Sequence, residues 1–269
     1  MTMLRTAAAI AAVLSFVSPA EAEPLKPTGN WVINYAEAQC LATRPFGTKD
    51  APLHLLIKPS PTSDVIQIAV ASDGSSMSGM QRQGSIRFGT FDAQDVKVLE
   101  YGTSEKKNVK SLNLSQELAT QLGQSSSIRW EVRGKVIELD TGPMKEVVKV
   151  MANCRDDLRD YWNIEESKSA VLRSPVSPSQ PLIRYFSVDD YPAQAISQRE
   201  GGMTSVVLLV DEKGVIQDCM VDGTSGIATL DAMTCIVLRK KGKFEPATDS
   251  QGKPTKGAFK QRVRWEVAN

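Results

Sequence analysis

Four cysteines constrain this chain before anything else does. Cys40 and Cys154 lie in the first half of the 269 residues, Cys219 and Cys235 in the second. Three pairings can be drawn. The expected one keeps each bond within its own half, Cys40–Cys154 and Cys219–Cys235, and so implies two separately stapled units. No C-x-x-C occurs, which excludes a thioredoxin-like redox motif and a zinc ribbon. In the chain-entropy picture a loop of about 16 residues stabilises by roughly 3 kcal/mol and a longer loop by more.

Paired cysteines need an oxidising compartment, and the N-terminus predicts a route to one. Residues 1–22 read as a secretory leader. Arg5 supplies the charged region, residues 7–17 an apolar run too short to span a bilayer comfortably, and Ala20-Glu21-Ala22 a cleavage site. The mature chain is then expected to begin near Glu23, in the periplasm of a bacterium. Retention of the leader would instead make it an inner-membrane anchor. A hydrophobic content of 41% and a charged content of 23% are those of an ordinary globular protein. The net charge of +1 gives no case for nucleic acid as a partner. The charge is uneven, however. Residues 183–238 hold three basic side chains against eight acidic ones, and residues 239–264 hold nine against two.

Apolar runs at 53–57 and 65–71, split by Pro59-Ser60-Pro61, predict successive strands, with further strands at 31–35, 85–91 and 96–101. Residues 40–47 follow the first of these and end in a turn. Residues 73–84 read as a Gly/Ser/Met loop with Met77 and Met80 in it, and 105–110 as a charged turn. Ser115 is placed to cap a short helix that ends at Gly123. Residues 128–132 and 136–140 form a hairpin about Arg133-Gly134-Lys135. Pro143 opens a helix that carries Met144, Val147, Val148, Met151, Leu158 and Trp162 at helical spacing, together with Cys154. The first unit, residues 23–164, is thus expected to be a β-rich α+β domain with a closing helix.

Residues 165–182 read as a linker. Pro175, Pro178 and Pro181 recur at spacing three and predict an exposed, polyproline-like spacer. The second unit, 183–269, begins with a helix at 193–200 stopped by Gly201-Gly202. A strand follows at 203–211, apolar on both faces. Glu212-Lys213-Gly214 forms a tight turn, a second strand runs over 215–221, and a helix over 229–241 has Asp231 at its start and Arg239, Lys240 and Lys241 at its end, as the helix dipole favours.

Catalytic chemistry finds little support. His54 is the only histidine and sits in a strand run, with no motif that would build a triad around it. The acid pairs Asp156-Asp157, Glu165-Glu166 and Asp189-Asp190 read as solvated surface. Gly74, Gly79 and Gly84 lack the Lys-Ser/Thr of a phosphate-binding loop. No enzyme, cofactor or metal site is expected.

The last strand, 259–267, alternates without a fault. Phe259, Gln261, Val263, Trp265 and Val267 face one way; Lys260, Arg262, Arg264 and Glu266 face the other. A terminal strand of this kind often stands at a sheet edge, where its free N–H and C=O groups pair with another chain.

The second unit resembles a known family. Tyr191-Pro192-Ala193, Gly201-Gly202-Met203, Val210-Asp211-Glu212-Lys213-Gly214, Asp218-Cys219-Met220-Val221, Ser225-Gly226, Leu230-Asp231-Ala232, Phe244-Glu245-Pro246-Ala247 and Asp249-Ser250-Gln251-Gly252-Lys253-Pro254 stand in the order seen in TonB C-terminal domains. They are most similar to the cysteine-containing variety of exported alphaproteobacterial proteins. The resemblance implies a three-stranded antiparallel sheet with two helices on one face and no enzymatic activity. It implies that the last strand binds a short extended peptide, the Ton box of an outer-membrane transporter or a like segment of another envelope protein. The strand residues that correspond are Phe259, Lys260, Gln261, Arg262, Val263, Arg264 and Trp265. An inner-membrane anchor and a long Pro-rich rod accompany force transduction in the family. The cleavable leader and short linker expected here point to holding a partner rather than pulling on one. A structural envelope protein that binds cell wall, or that forms a homodimer through the same edge, is the alternative.

Overall fold

Nine strands carry the alternation of the first half into one curled antiparallel sheet. The structure is a computed structural model and describes residues 23–74, 80–103, 106–164 and 171–267. The leader and Met77 fall outside these residues. The strands are β1 (Val32–Ala36), β2 (Gln39–Gly47), β3 (Pro52–Pro59), β4 (Ile66–Asp73), β5 (Met80–Phe88), β6 (Gln94–Gly102), β7 (Lys107–Leu114), β8 (Ser127–Val132) and β9 (Lys135–Asp140). Their order across the sheet is β1-β2-β3-β4-β7-β6-β5-β8-β9. Helix α1 (Gln116–Gly123) follows β7, and helix α2 (Lys145–Tyr161) follows β9. The segment 25–28 stitches the two ends of the curl together. Leu25 exchanges backbone hydrogen bonds with β9, and the Thr28 N–H donates to the Pro45 carbonyl on β2.

Side-chain period explains why these elements share a core. Phe46, Leu55, Ile57, Ile68, Ile86, Phe88, Ile128 and Trp130 are buried from the sheet. Val147, Met151, Cys154 and Leu158 form the buried stripe of α2, at the spacing of one helical face. The Cys40–Cys154 disulfide joins that stripe to β2. Ser115 caps α1 as expected, its hydroxyl accepting from the Leu118 N–H at 3.2 Å.

Residues 40–47 form most of β2 and end at Gly47 as expected. One segment read as a turn is a strand: the charged stretch near 107–110 opens β7, in the middle of the sheet. Lys107 and Lys110 pair there with Asp73 and Glu100 on the neighbouring strands. Cross-strand ion pairs satisfy charges that in sequence resemble a solvated loop. The loop read over 73–84 is also shorter, because β5 starts at Met80.

The linker is docked along its described length. β10 (Leu172–Ser174) pairs with β15 (Ala247–Asp249), and β11 (Ser177–Pro178) pairs with β14 (Phe244–Glu245). Val176 between them is 4% exposed. The prolines keep the strap extended, and the turn-rich stretch after residue 243 supplies the partner strands, including β16 (Pro254–Thr255). Two single 3-10 turns follow the strap, at Leu182–Tyr185 and Val188–Asp190.

The second half holds α3 (Ala193–Ser197), β12 (Gly202–Val210), β13 (Ile216–Gly223), α4 (Ala228–Lys241) and β17 (Gly257–Trp265). The strands form an antiparallel sheet in the order β13-β12-β17. Gly214 turns the β12–β13 hairpin at φ +78°, where a side chain is disfavoured. The Cys219–Cys235 disulfide ties β13 to α4. Helix α3 is shorter than the predicted span and meets the sheet at Trp265 through Ala195.

The two apolar faces of β12 have different neighbours. Val206, Leu208 and Val210 pack with Tyr185, Leu238, Phe244 and Phe259. Val207 and Leu209, with Ala258 beside them, join the core cluster of the nine-stranded sheet. Burying a branched aliphatic side chain fully is worth about 1.5–3 kcal/mol, so this shared cluster is a firm attachment. Polar contacts surround it. Lys58 pairs with Asp218 at 3.1 Å, and the Asn163 amide donates to the Lys256 carbonyl at 2.9 Å. Lys256 lies over the Tyr161 ring.

Candidate functional site

β17 pairs with β12 through nine registered positions, from Gly257↔Val210 to Trp265↔Gly202, and with no strand on its other side among the described residues. Its alternation is realised as the sequence predicts. Lys260, Arg262 and Arg264 are exposed, while Phe259, Gln261 and Val263 are half-buried and Trp265 is buried.

Trp265 roots the strand. Its indole N–H donates to the Thr234 hydroxyl on α4 at 2.9 Å, and that hydroxyl donates to the Leu230 carbonyl at 2.8 Å. Phe186 and Tyr191 stand edge-on to the indole, with ring centroids at 5.5 and 5.2 Å. Gly201 passes beside it, where an added Cβ would lie 2.7 Å from the Trp265 carbonyl oxygen. The start of α4 is fixed by Asp231, which is buried. Its carboxylate accepts from the Thr204 hydroxyl at 2.8 Å, the Thr224 hydroxyl at 2.5 Å and the Ser225 N–H at 2.8 Å. Those bonds join helix, β12 and the loop after β13 at one carboxylate.

The strand's two halves differ. Near its start, Phe259 stacks obliquely on Phe244 at 5.3 Å, and Val176 of the strap lies against Gly257. Lys260 is committed to Asp222 at 2.8 Å. Toward its end, residues Gln261, Arg262, Val263, Arg264, Trp265 and Glu266 line one side of an open groove of about 490 Å³. Leu182, Ile183, Phe186, Val188 and Tyr191 form the facing wall. A broader cleft of about 1260 Å³ continues past the strand end, between Arg264, Trp265, Met203 and Arg199.

Charge holds the wall in place. Lys241, the last residue of α4, donates to both oxygens of Asp190 at 2.7 and 2.6 Å. Asp190 also accepts from the Ser187 N–H and hydroxyl. Burial pushes the Asp190 carboxyl up, but the hydrogen bonds from Lys241 and Ser187 and the Lys241 charge outweigh it and hold the pKa below its ordinary value. This acid, read from sequence as solvated surface, is a structural clasp. Tyr191 donates its hydroxyl to the Glu200 carbonyl at 2.6 Å. Its pKa is raised, first by burial and then by the Glu200 and Glu266 charges.

Of the seven strand residues singled out by sequence, Gln261, Arg262, Val263, Arg264 and Trp265 meet in the groove, whereas Phe259 and Lys260 are engaged elsewhere in the molecule. Sequence reading missed the wall. Its residues sit in or directly after single 3-10 turns with no period of their own, and the available hint was the density of aromatics at Tyr185, Phe186 and Tyr191. His54 is exposed on β3. Among the described residues no three His, Cys, Asp or Glu side chains are grouped to hold a metal. No helix among them is long and apolar enough to cross a membrane.

Residues 188–267 match the family model for the Gram-negative bacterial TonB protein C-terminal. No curated protein matches the chain.

Proposed function

With residues 188–267 a TonB C-terminal domain, we propose that this protein binds an extended peptide by strand addition to the free edge of β17. The chain layout proposed with it is a leader at 1–22, a first domain at 23–164, a linker at 165–182 and the binding domain at 183–269. The leader delivers the protein to the periplasm. The partner there is the Ton-box-like segment of an outer-membrane transporter, or a similar segment of another envelope protein.

The observation that carries this reading is the groove beside residues 261–266. It leaves one edge of a rooted strand open along a wall of apolar side chains. Backbone hydrogen bonds along that edge supply affinity, and side-chain pockets beside it supply selection. Attachment of β12 to the first domain's core makes the two domains one support for the edge. That arrangement suits retention of a partner.

Titration of isotope-labelled full-length protein with Ton-box peptides tests the reading. The amides of Gln261, Arg262, Val263, Arg264 and Trp265 should shift, and those of Gly257 and Ala258, under the strap, should not. Spectra unchanged at millimolar peptide would remove it.

A further inference from the structure

We infer that the groove selects an extended segment whose side chains alternate, apolar toward the 182–191 wall and acidic toward the arginine row of β17. This inference rests on the edge-pairing reading and adds the side-chain rule that backbone pairing lacks.

A strand added beside β17 continues its pleat, so its side chains fall alternately on the two faces. On one face they become neighbours of Gln261, Val263 and Trp265, beside which stand Phe186 and Tyr191. The same wall presents Ile183 and Val188, which are 76% and 85% exposed. Both line the groove. Apolar side chains of an added strand would cover them. On the other face the added side chains meet Arg262 and Arg264. Arg262 is exposed and has no ion-pair partner among the described residues. Arg264 pairs at 2.6 Å with Glu266, and both side chains are about two-thirds exposed. A surface pair of that kind is weak and exchanges readily with an incoming carboxylate. Lys260 is held by Asp222, so Arg262 is the principal reader and Arg264 the second.

The same row argues against a second copy as the occupant. Antiparallel continuation of one sheet by an identical edge requires a twofold axis perpendicular to the sheet. That axis sets the arginine row of one copy opposite the arginine row of the other. Like charges directly opposite are destabilising, and basic residues on an edge are a known guard against self-pairing.

The test uses full-length protein and three fluorescein-labelled nine-residue peptides that alternate valine with glutamate, glutamine or lysine. The glutamate peptide should bind tightest, by about two- to fivefold per carboxylate over glutamine, with the margin shrinking at high salt. Arg262→Glu should reverse the order of the glutamate and lysine peptides, and Arg262→Gln should narrow it to the margin that Arg264 sustains. The double change Ile183→Ser with Val188→Ser should weaken all three peptides alike. Equal binding of all three by the wild type and by R262E would overturn the side-chain rule and leave edge pairing standing. Binding of none, Ton-box peptides included, would remove edge pairing as well. A wild-type dimer in sedimentation that Val263→Pro dissolves would give the groove to a second copy and overturn the proposal.

Discussion

Two of the molecule's sheet edges contrast with each other. β1 closes one side of the nine-stranded sheet and β17 one side of the three-stranded sheet. β1 is five residues long and exposed at four of its positions, with Val32 and Tyr35 well in solvent. Trp31, just before it, has a buried indole N–H with no acceptor among the described residues. β17 is nine residues long, and the indole N–H of Trp265 is met by Thr234. A short edge is one of the ways proteins blunt unwanted pairing. A long edge, rooted by a buried aromatic and flanked by a wall, offers a partner a preformed surface. Preorganisation of that kind lowers the ordering cost of binding. On the proposed reading, anchorage rather than exposure alone makes an edge a site.

Each edge belongs to a sheet stapled by one disulfide, and the staples offer the strongest means of breaking the comparison. Cys40 lies on β2, opposite Tyr35 of β1, and bonds to α2 across a separation of 114 residues. Cys219 lies on β13, across β12 from β17, and its bond to α4 spans 16. Loop length predicts a loss of about 4–5 kcal/mol when the first bond is removed by paired Cys→Ser changes, and about 3 kcal/mol for the second. Urea unfolding measures both. Peptide affinity should respond in the opposite order. Loss of Cys219–Cys235 frees α4, which carries Thr234 and Lys241, whereas loss of Cys40–Cys154 should leave binding intact in whatever protein remains folded. Equal effects on binding would dissolve the link between anchorage and function.

A sharper contrast comes from one aromatic on each edge. Trp265→Ala removes a buried ring with its two edge-on partners and should cost about 3–5 kcal/mol. Tyr35→Ala on β1 removes an exposed ring and should stay within about 0.5 kcal/mol. Denaturant midpoints separate the two. A large loss at Tyr35 would show β1 to be as firmly rooted as β17.

Much of this was legible in the sequence because a local period encodes it. The stripe of α2, the Ser115 cap, the hairpin turns, the terminal alternation and the within-half cysteine pairs all follow from spacing or from residue chemistry. Val207 and Leu209 even announced that β12 is apolar on both faces, though not that its second face joins the core of the nine-stranded sheet. What sequence concealed depends on distant partners. β7 reads as a charged turn until Asp73 and Glu100 stand beside its lysines. The strap reads as a free spacer until residues 244–249 pair with it. Asp190 reads as a surface acid until Lys241, 51 residues away, reaches it. The groove wall belongs to the same class, since irregular turns acquire meaning only from the strand they face.

Acid offers the gentlest test, because it acts on the wall of one edge through a single carboxyl. Asp190 titrates below its ordinary value of 3.8 in the folded protein. Between that lowered value and 3.8 the unfolded chain binds more protons than the folded one, so stability rises with pH across the window. The contribution is present in full above the unfolded value and is lost as pH falls through the folded one. Lys241 stays protonated throughout, and the loss reflects neutralisation of the carboxylate that it and Ser187 hold. Wild type should therefore exceed Asp190→Asn in unfolding midpoint at pH 6, and the margin should narrow as pH falls below about 4. Carbon-detected titration of the Asp190 carboxyl should place its midpoint below that of an exposed aspartate. The valine–glutamine peptide, whose side chains do not titrate, reports on the same clasp. Its affinity should then decline in the Asp190 window for wild type and stay level for Asp190→Asn. A margin between the two proteins that does not change with pH would mean that Lys241 and Asp190 do not hold the wall, and that the groove owes its shape to Trp265 and its aromatic neighbours alone.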